Sequence, residues 1–213
     1  MGVGEETVRG FLEKVAASTP TPGGGSVAAL AGSLSASLSV MVGQLTVEKA
    51  RAGENRMPFE ERVQAARKLM AELGDLVEED AQAFQAVITA FRLPKENEEQ
   101  RSIRKMAIQR ALHQATVPPL AVTERGLDLL RIAHYLAQNG TPNARSDAGV
   151  AALLAYAAVW GGALNVDINL GGLEDIGFVA ATRQTILGYL DEADRLRREV
   201  LKVVSPTLFP PPL

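Results

Sequence analysis

Three consecutive glycines, Gly23, Gly24 and Gly25, stand in the stretch PTPGGGS, directly before a helical pattern that opens at Ser26. Glycines at a helix start leave backbone N–H groups bare, and those groups at the positive end of a helix attract an anion or the polar edge of a ligand. The nucleotide-binding form of this device needs Lys-Ser or Lys-Thr after the glycines and a strand before them. Neither is present. The loop and the Ser26 cap thus read as a ligand-binding element, with a plain flexible turn as the bland alternative.

Two carboxylates invite a chemical reading. Asp80, in VEEDAQAF, follows Leu76 by four positions and Val77 by three and precedes Phe84 by four, so it borders the apolar side of a charged helix. Partial burial there raises a carboxyl pKa and suits a proton donor; a solvated aspartate is the bland alternative. Asp147, with Ser146, opens a later helix after the loop NGTPNARSD, where backbone N–H groups favour the ionised form; a plain helix cap at either residue is the bland alternative. Lys49, near the end of the second helix, can hold a carboxylate or, if desolvated, exchange a proton; otherwise it is a solvated lysine beside a helix C-terminus. Asn143, Asn165 and Asn169 supply amide donors and acceptors of the kind a heterocycle edge needs, and each also suits turn or core chemistry.

Other chemistry is excluded. No cysteine occurs, which removes thiol nucleophiles, disulfides and iron–sulfur clusters and fits a reducing cytoplasm. His113 and His134 are the only histidines and belong to no metal-binding spacing, so no metal site is expected and both read as packed or surface residues. Tyr156 and Trp160, four apart, can stack on a ring and are more simply core; Arg183, Arg195, Arg197 and Arg198 read as a solvated face.

The elements that must position these residues are helical. The chain has 213 residues, 46% hydrophobic and 22% charged, enough for one core, and its net charge of −3 speaks against nucleic acid as a partner. Helical spacing predicts helices over 5–17, 26–51, 58–91, from about Ile103 onward, over 120–138, from Ser146, and over 174–203, with Pro118 and Pro119 kinking or interrupting the fourth pattern. NVDINL, 165–170, alternates like a strand when taken alone and is given no state. No charge occurs from Val15 to Val47 or from Ala148 to Val166. Length alone would let these segments span a membrane, but Ala, Gly and Ser dominate them, which favours two central helices of a bundle over membrane insertion. The class is all-α, of about six to eight helices: one domain over 1–204 and a proline-rich extended tail over 205–213.

TPTPGGGSVAALAGSLSASLSVMVGQLT, DAQAFQAVITAFRLPK, TPNARSDAGVAALLAYAA and NVDINL together resemble the cyclodeaminase domain of formiminotransferase-cyclodeaminase and the related bacterial methenyltetrahydrofolate cyclohydrolases. The resemblance runs through nearly the whole chain in order, the tail excepted. It implies a helical homodimer acting on tetrahydrofolate one-carbon derivatives, polyglutamylated or not, with no metal or organic cofactor. Where the family tends to have Gly-Lys-Lys and a nearby tyrosine, this chain reads LTVEKARAGEN, and only Lys49 matches. The implied reaction is ring closure of formimino-tetrahydrofolate with ammonia release, or hydrolytic opening of the methenyl ring. Either needs a carboxylate near a cationic carbon, for which Asp147 is the first choice, and a proton carrier, for which Asp80 and Lys49 are candidates. Gly23, Gly24, Gly25, Ser26, Asn143, Ser146, Asn165 and Asn169 are the corresponding substrate-binding candidates. A non-catalytic folate-binding helical module and a purely structural helical dimer are the readings from other classes.

Overall fold

The computed structural model describes residues 6–51 and 54–208. The described residues form α1 (Val8–Val15), α2 (Gly24–Lys49), α3 (Met57–Phe91), α4 (Glu98–Asn139), a 3-10 turn (Pro142–Ala144), α5 (Arg145–Leu170) and α6 (Ile176–Val204). No strand occurs among them, and residues 165–170 are the last turns of α5. The all-α reading therefore stands, with six helices.

Cross-helix contacts fix the directions. Ser26 near the start of α2 meets Val77 in the middle of α3, Phe59 at the start of α3 stacks on Tyr135 near the end of α4, and Ala115 of α4 meets Asn169 near the end of α5. Tyr156 of α5 in turn bonds Asp194 of α6. The five long helices thus run alternately up and down, and α2 and α5, which are also packed together, are antiparallel.

Small residues explain why α2 and α5 lie at the centre. A Cβ on Gly161 would overlap Ala28, and one on Gly32 would sit 2.9 Å from a Leu73 methyl and 3.4 Å from the Ala158 Cβ, so the helices approach almost backbone to backbone. Ser35 Oγ donates to the Ala151 carbonyl at 2.8 Å, satisfying a buried hydroxyl across the seam. Both helices are long and apolar enough to cross a membrane, with mean hydropathies of 1.6 and 1.5, yet 56% and 50% of those windows are buried inside the bundle. The burial is not complete on every side. Val27, Leu34 and Met41 on α2 and Leu153, Leu164 and Ile168 on α5 leave one apolar face open.

The prolines of α4 depart from expectation. Pro118 and Pro119 do not divide the segment into two helices; α4 is continuous from Glu98 to Asn139, with both rings buried. Each proline lacks the N–H that would bond the carbonyl four residues earlier, which releases the carbonyls of Gln114 and Ala115. Asn169 Nδ2 donates to the Ala115 carbonyl at 2.7 Å, so α5 supplies a partner that α4 cannot. The expected extended tail begins instead with a turn at 206–208, where the Leu208 N–H donates to the Ser205 carbonyl; residues 209–213 lie outside the described residues.

Candidate active site

α2 begins at Gly24, capped by Gly23 without any side-chain hydrogen bond, so Ser26 is not the cap that its position suggested. A side chain of α3 fills that role in part. The Asp80 carboxylate lies against the first turn of α2, so close to Gly25 that a Cβ there would overlap it. Ser26 Oγ is 3.1 Å from Asp80 Oδ2 and 3.0 Å from the Val77 carbonyl, to both of which it can donate. Burial raises the Asp80 carboxyl above its ordinary pKa; the Ser26 hydroxyl and backbone amide act in the opposite direction and by less. The protein's own carboxylate therefore stands at the positive end of α2, beside the glycines that line the cavity.

A cavity of about 230 Å3 opens at this point. Pro20, Thr21 and Gly23 to Gly25 form one wall, Asp80 and Phe84 a second, and Ala115, Asn165, Ile168 and Asn169 the rest. The Thr21–Pro22 peptide is cis. Asn165 Nδ2 donates to the Gly161 carbonyl at 2.8 Å, which fixes the amide plane, while Asn169 is fixed by Ala115. Asp80 is the sole titratable group among these lining residues. Such a pocket offers one carboxyl of raised pKa, two fixed amides and apolar faces, with no cation to hold a carboxylate or phosphate. It suits a flat, cationic or protonatable heterocycle.

Seven of the sequence-predicted residues are brought together here: Gly23, Gly24, Gly25, Ser26, Asp80, Asn165 and Asn169. Lys49, Asn143, Ser146 and Asp147 are not among them. Because α2 and α5 are antiparallel, the glycine loop meets the end of α5, and the start of α5 lies with the end of α2. At 1.5 Å per residue, Asp147 is about 27 Å along α5 from Asn165, and Lys49 about 37 Å along α2 from Gly24. Asp147 is half-buried in the first turn of α5 while Lys49, Asn143 and Ser146 are exposed. α5 is capped by Ala144 without a side-chain bond, so neither Ser146 nor Asp147 is the cap.

In the sequence Phe84 stands out only as a neighbour of Asp80, Pro119 only as a helix breaker, and Ile168 and Ala115 not at all. The signal for Ala115 and Pro119 was available: a proline in a helix frees the carbonyl four residues before it, and Ala115 is that residue. His113 is exposed and stacks on Phe178 at 4.2 Å, and His134 bonds Glu199 at 2.9 Å, as surface residues do. The Tyr156 hydroxyl is bound to Asp194 at 2.6 Å, outside the pocket. A larger cleft of about 580 Å3 lies between α3 and α4, but most of its charges are paired: Arg125 with Glu72 and Glu124, Arg131 with Asp128 and Glu192, and Lys68 with Glu72, while Arg62 lies over the Tyr135 ring and donates to the Pro58 carbonyl.

Fold and site together define an all-helical protein whose pocket is built on a glycine-started central helix and a single half-buried carboxyl. The chain belongs to the formiminotransferase-cyclodeaminase family, whose model matches residues 7–187. It is 37% identical over 202 residues to the methenyltetrahydrofolate cyclohydrolase of Methylorubrum extorquens, covering 95% of this chain and 97% of that protein. It is 36% identical over 189 residues to the formimidoyltransferase-cyclodeaminase of Rattus norvegicus, covering 89% of this chain but 35% of that longer protein. The crystal structure of formiminotetrahydrofolate cyclodeaminase from Thermotoga maritima superposes with a TM-score of 0.80 at 27% identity, covering 97% and 99% of the two chains.

Proposed function

We propose that this chain is a tetrahydrofolate one-carbon enzyme, a formiminotetrahydrofolate cyclodeaminase, with Asp80 as its proton carrier. The observation that carries the reading is the Asp80 carboxyl, raised in pKa by burial and held against the glycine-started helix, facing a pocket whose other polar side chains, Thr21, Asn165 and Asn169, are neutral. In the reaction, the anilino nitrogen attacks the formimino carbon and forms the new C–N bond. The formimino group enters as its amidinium cation, so attack leaves a tetrahedral carbon that carries an amine; the anilino nitrogen loses its proton, and that amine gains it to become an ammonium. The bond to that nitrogen then breaks and ammonia departs, leaving the cationic methenyl bridge. One carboxylate can take the first proton, deliver it to the leaving nitrogen and remain ionised beside the cation. No step calls for a metal or an organic cofactor.

Methenyltetrahydrofolate cyclohydrolase is the second reading, and the Methylorubrum relative, matched along almost its full length, favours it. There water adds to the methenyl carbon and gives one proton to the same carboxylate, which delivers it to the ring nitrogen whose bond to that carbon breaks; the remaining hydroxyl proton is released to solvent as the formyl C=O forms. The methenyl chromophore separates the two. Its appearance from formimino-tetrahydrofolate marks the cyclodeaminase, and its loss faster than in buffer marks the cyclohydrolase. If folate binds and neither change occurs, the chain is a binding module.

The working form in this reading is a cytoplasmic homodimer. Monomers rarely expose large contiguous apolar patches, whereas the open α2–α5 face carries Leu34 at 50%, Leu164 at 59% and Ile168 at 76% exposure. Ile168 belongs to both this face and the pocket wall. The 230 Å3 cavity is also below the range of about 300–1,000 Å3 usual for drug-sized ligands. It admits the bicyclic end of a folate and leaves the remainder to lie along the open face. A second copy there would complete the enclosure and give Lys49, Asn143, Ser146 and Asp147 a route to a neighbouring pocket. Asp147 would then stand near the cationic carbon and Lys49 near the glutamate tail, polyglutamylated or not.

A further inference from the structure

We propose that Ser26 is a positioning residue for proton transfer: its one hydroxyl hydrogen alternates between the Val77 carbonyl and the Asp80 carboxylate, so that Asp80 is hydrogen-bonded in both protonation states. The inference rests on the functional reading of Asp80 given above. A serine that only clamped α2 to α3 would need a single acceptor, yet Oγ has two at nearly equal distance, 3.0 Å to Val77 O and 3.1 Å to Asp80 Oδ2. A hydroxyl has one hydrogen and two lone pairs. With Asp80 ionised, Ser26 donates to the carboxylate. With Asp80 protonated, Ser26 turns its hydrogen to Val77 and accepts the carboxyl proton through a lone pair.

Neither position leaves a buried polar atom alone. Val77 lies well inside α3, so its carbonyl also has the helical N–H of Ala81, and it tolerates the loss of Ser26. Ser26 is fully buried, so water cannot take its place when it turns. Rotation of one hydroxyl is then the whole structural change that accompanies the proton, which keeps the reorganisation small.

The surrounding charges leave this role to Ser26. α2 has no charged residue between its start and Val47, and Lys14 is the last before it. On α3, Glu78 and Glu79 are exposed; on α4, Arg110 and His113 are exposed; on α5, Asp167 is exposed and paired with Arg183 at 3.2 Å. No charge lies among the residues lining the cavity with Asp80.

The test compares Ser26→Ala and Ser26→Cys with the unaltered protein. The Asp80 carboxyl is followed by carbon NMR against pH in ligand-free protein and assigned by its absence from Asp80→Asn; turnover is followed against pH by the methenyl absorbance. In Ser26→Ala the Asp80 titration and the rising limb of kcat should both move to higher pH. kcat at neutral pH should fall roughly tenfold or more, within the range general acid–base groups supply, while KM stays within about threefold. Ser26→Cys keeps the size and a weaker donor, so it should fall between the two, and it serves if the alanine variant does not fold. An Asp80 titration unmoved in a folded variant overturns the proposal and leaves Ser26 a clamp. A moved titration with an unmoved rate profile also overturns it, and shows that the fault lies in the role given to Asp80 rather than in the hydrogen bond.

Discussion

Gly25 and Asp80 are in contact across two helices with no space for a side chain between them: the carboxylate occupies the volume that any other residue at 25 would fill with its Cβ. Gly24 is different, because a Cβ there would meet only Asn165 Nδ2 at an ordinary 3.6 Å. The two neighbouring glycines therefore make separate demands, one for the protein's own carboxylate and one for the ligand.

Gly25→Ala should displace Asp80, lowering stability by about 1–3 kcal/mol, as overpacking does, and removing turnover. Gly24→Ala should fold and work nearly as before. Gly24→Val should fold normally and lose folate affinity, because its bulk enters the cavity. Chemical denaturation and a folate titration on the three variants check this ordering.

Asp80→Asn should lower kcat by roughly 10²–10⁴-fold while raising stability at neutral pH. The folded protein holds the Asp80 proton to higher pH than the unfolded chain does. The stability this group contributes is therefore full below the ordinary value of 3.8 and is lost as pH rises through the elevated folded value. The amide escapes that loss. The difference in Tm between variant and parent should be positive at about pH 8 and shrink as pH falls towards the ordinary carboxylate range; a constant difference would mean that Asp80 titrates normally.

Pro119→Ala should weaken the site without weakening the fold. Alanine restores an N–H to bond the Ala115 carbonyl and favours the helix, so Asn169 loses sole use of that acceptor. Turnover should fall three- to tenfold, corresponding to a net hydrogen bond of about 0.5–1.5 kcal/mol. Asn169→Ala should cost at least as much, and the double variant no more than Asn169→Ala alone. Additive losses would separate the proline from the amide.

Leu34→Glu, at the middle of the open face, should yield a monomer in sedimentation and reduce turnover. Mixing the separately inactive Asp80→Asn and Asp147→Asn proteins should restore about a quarter of the parental activity, since half of randomly formed dimers are hybrids and each has one intact site. No recovery would place Asp147 outside any shared site.

These contrasts show what could be read from the chain. Asp80 was legible because its spacing to Leu76, Val77 and Phe84 placed it at the border of an apolar face, and burial follows from that. Glycines before a small-residue helix announce a close approach, and at Gly25 the approaching group is Asp80. The sequence offers Asp147 and the glycine loop as parts of one site, yet the antiparallel packing of α2 and α5 sends their starts to opposite ends, and direction is set by tertiary contacts. Local rules make Pro118 and Pro119 helix breakers. The amide that makes them tolerable comes from Asn169, on the next helix.

The two hydrogen bonds that define the pocket, Ser26 to Asp80 and Asn169 to Ala115, each join residues 54 positions apart in the chain. No fragment consisting of a single helix or of two consecutive ones contains both. Helical content can accumulate locally, but the site has no partial form and arises only when α2, α3, α4 and α5 have docked, at the entropic cost of closing long loops. During refolding from denaturant, the circular dichroism signal should thus recover ahead of catalytic activity, and the lag between them measures the docking of the four helices.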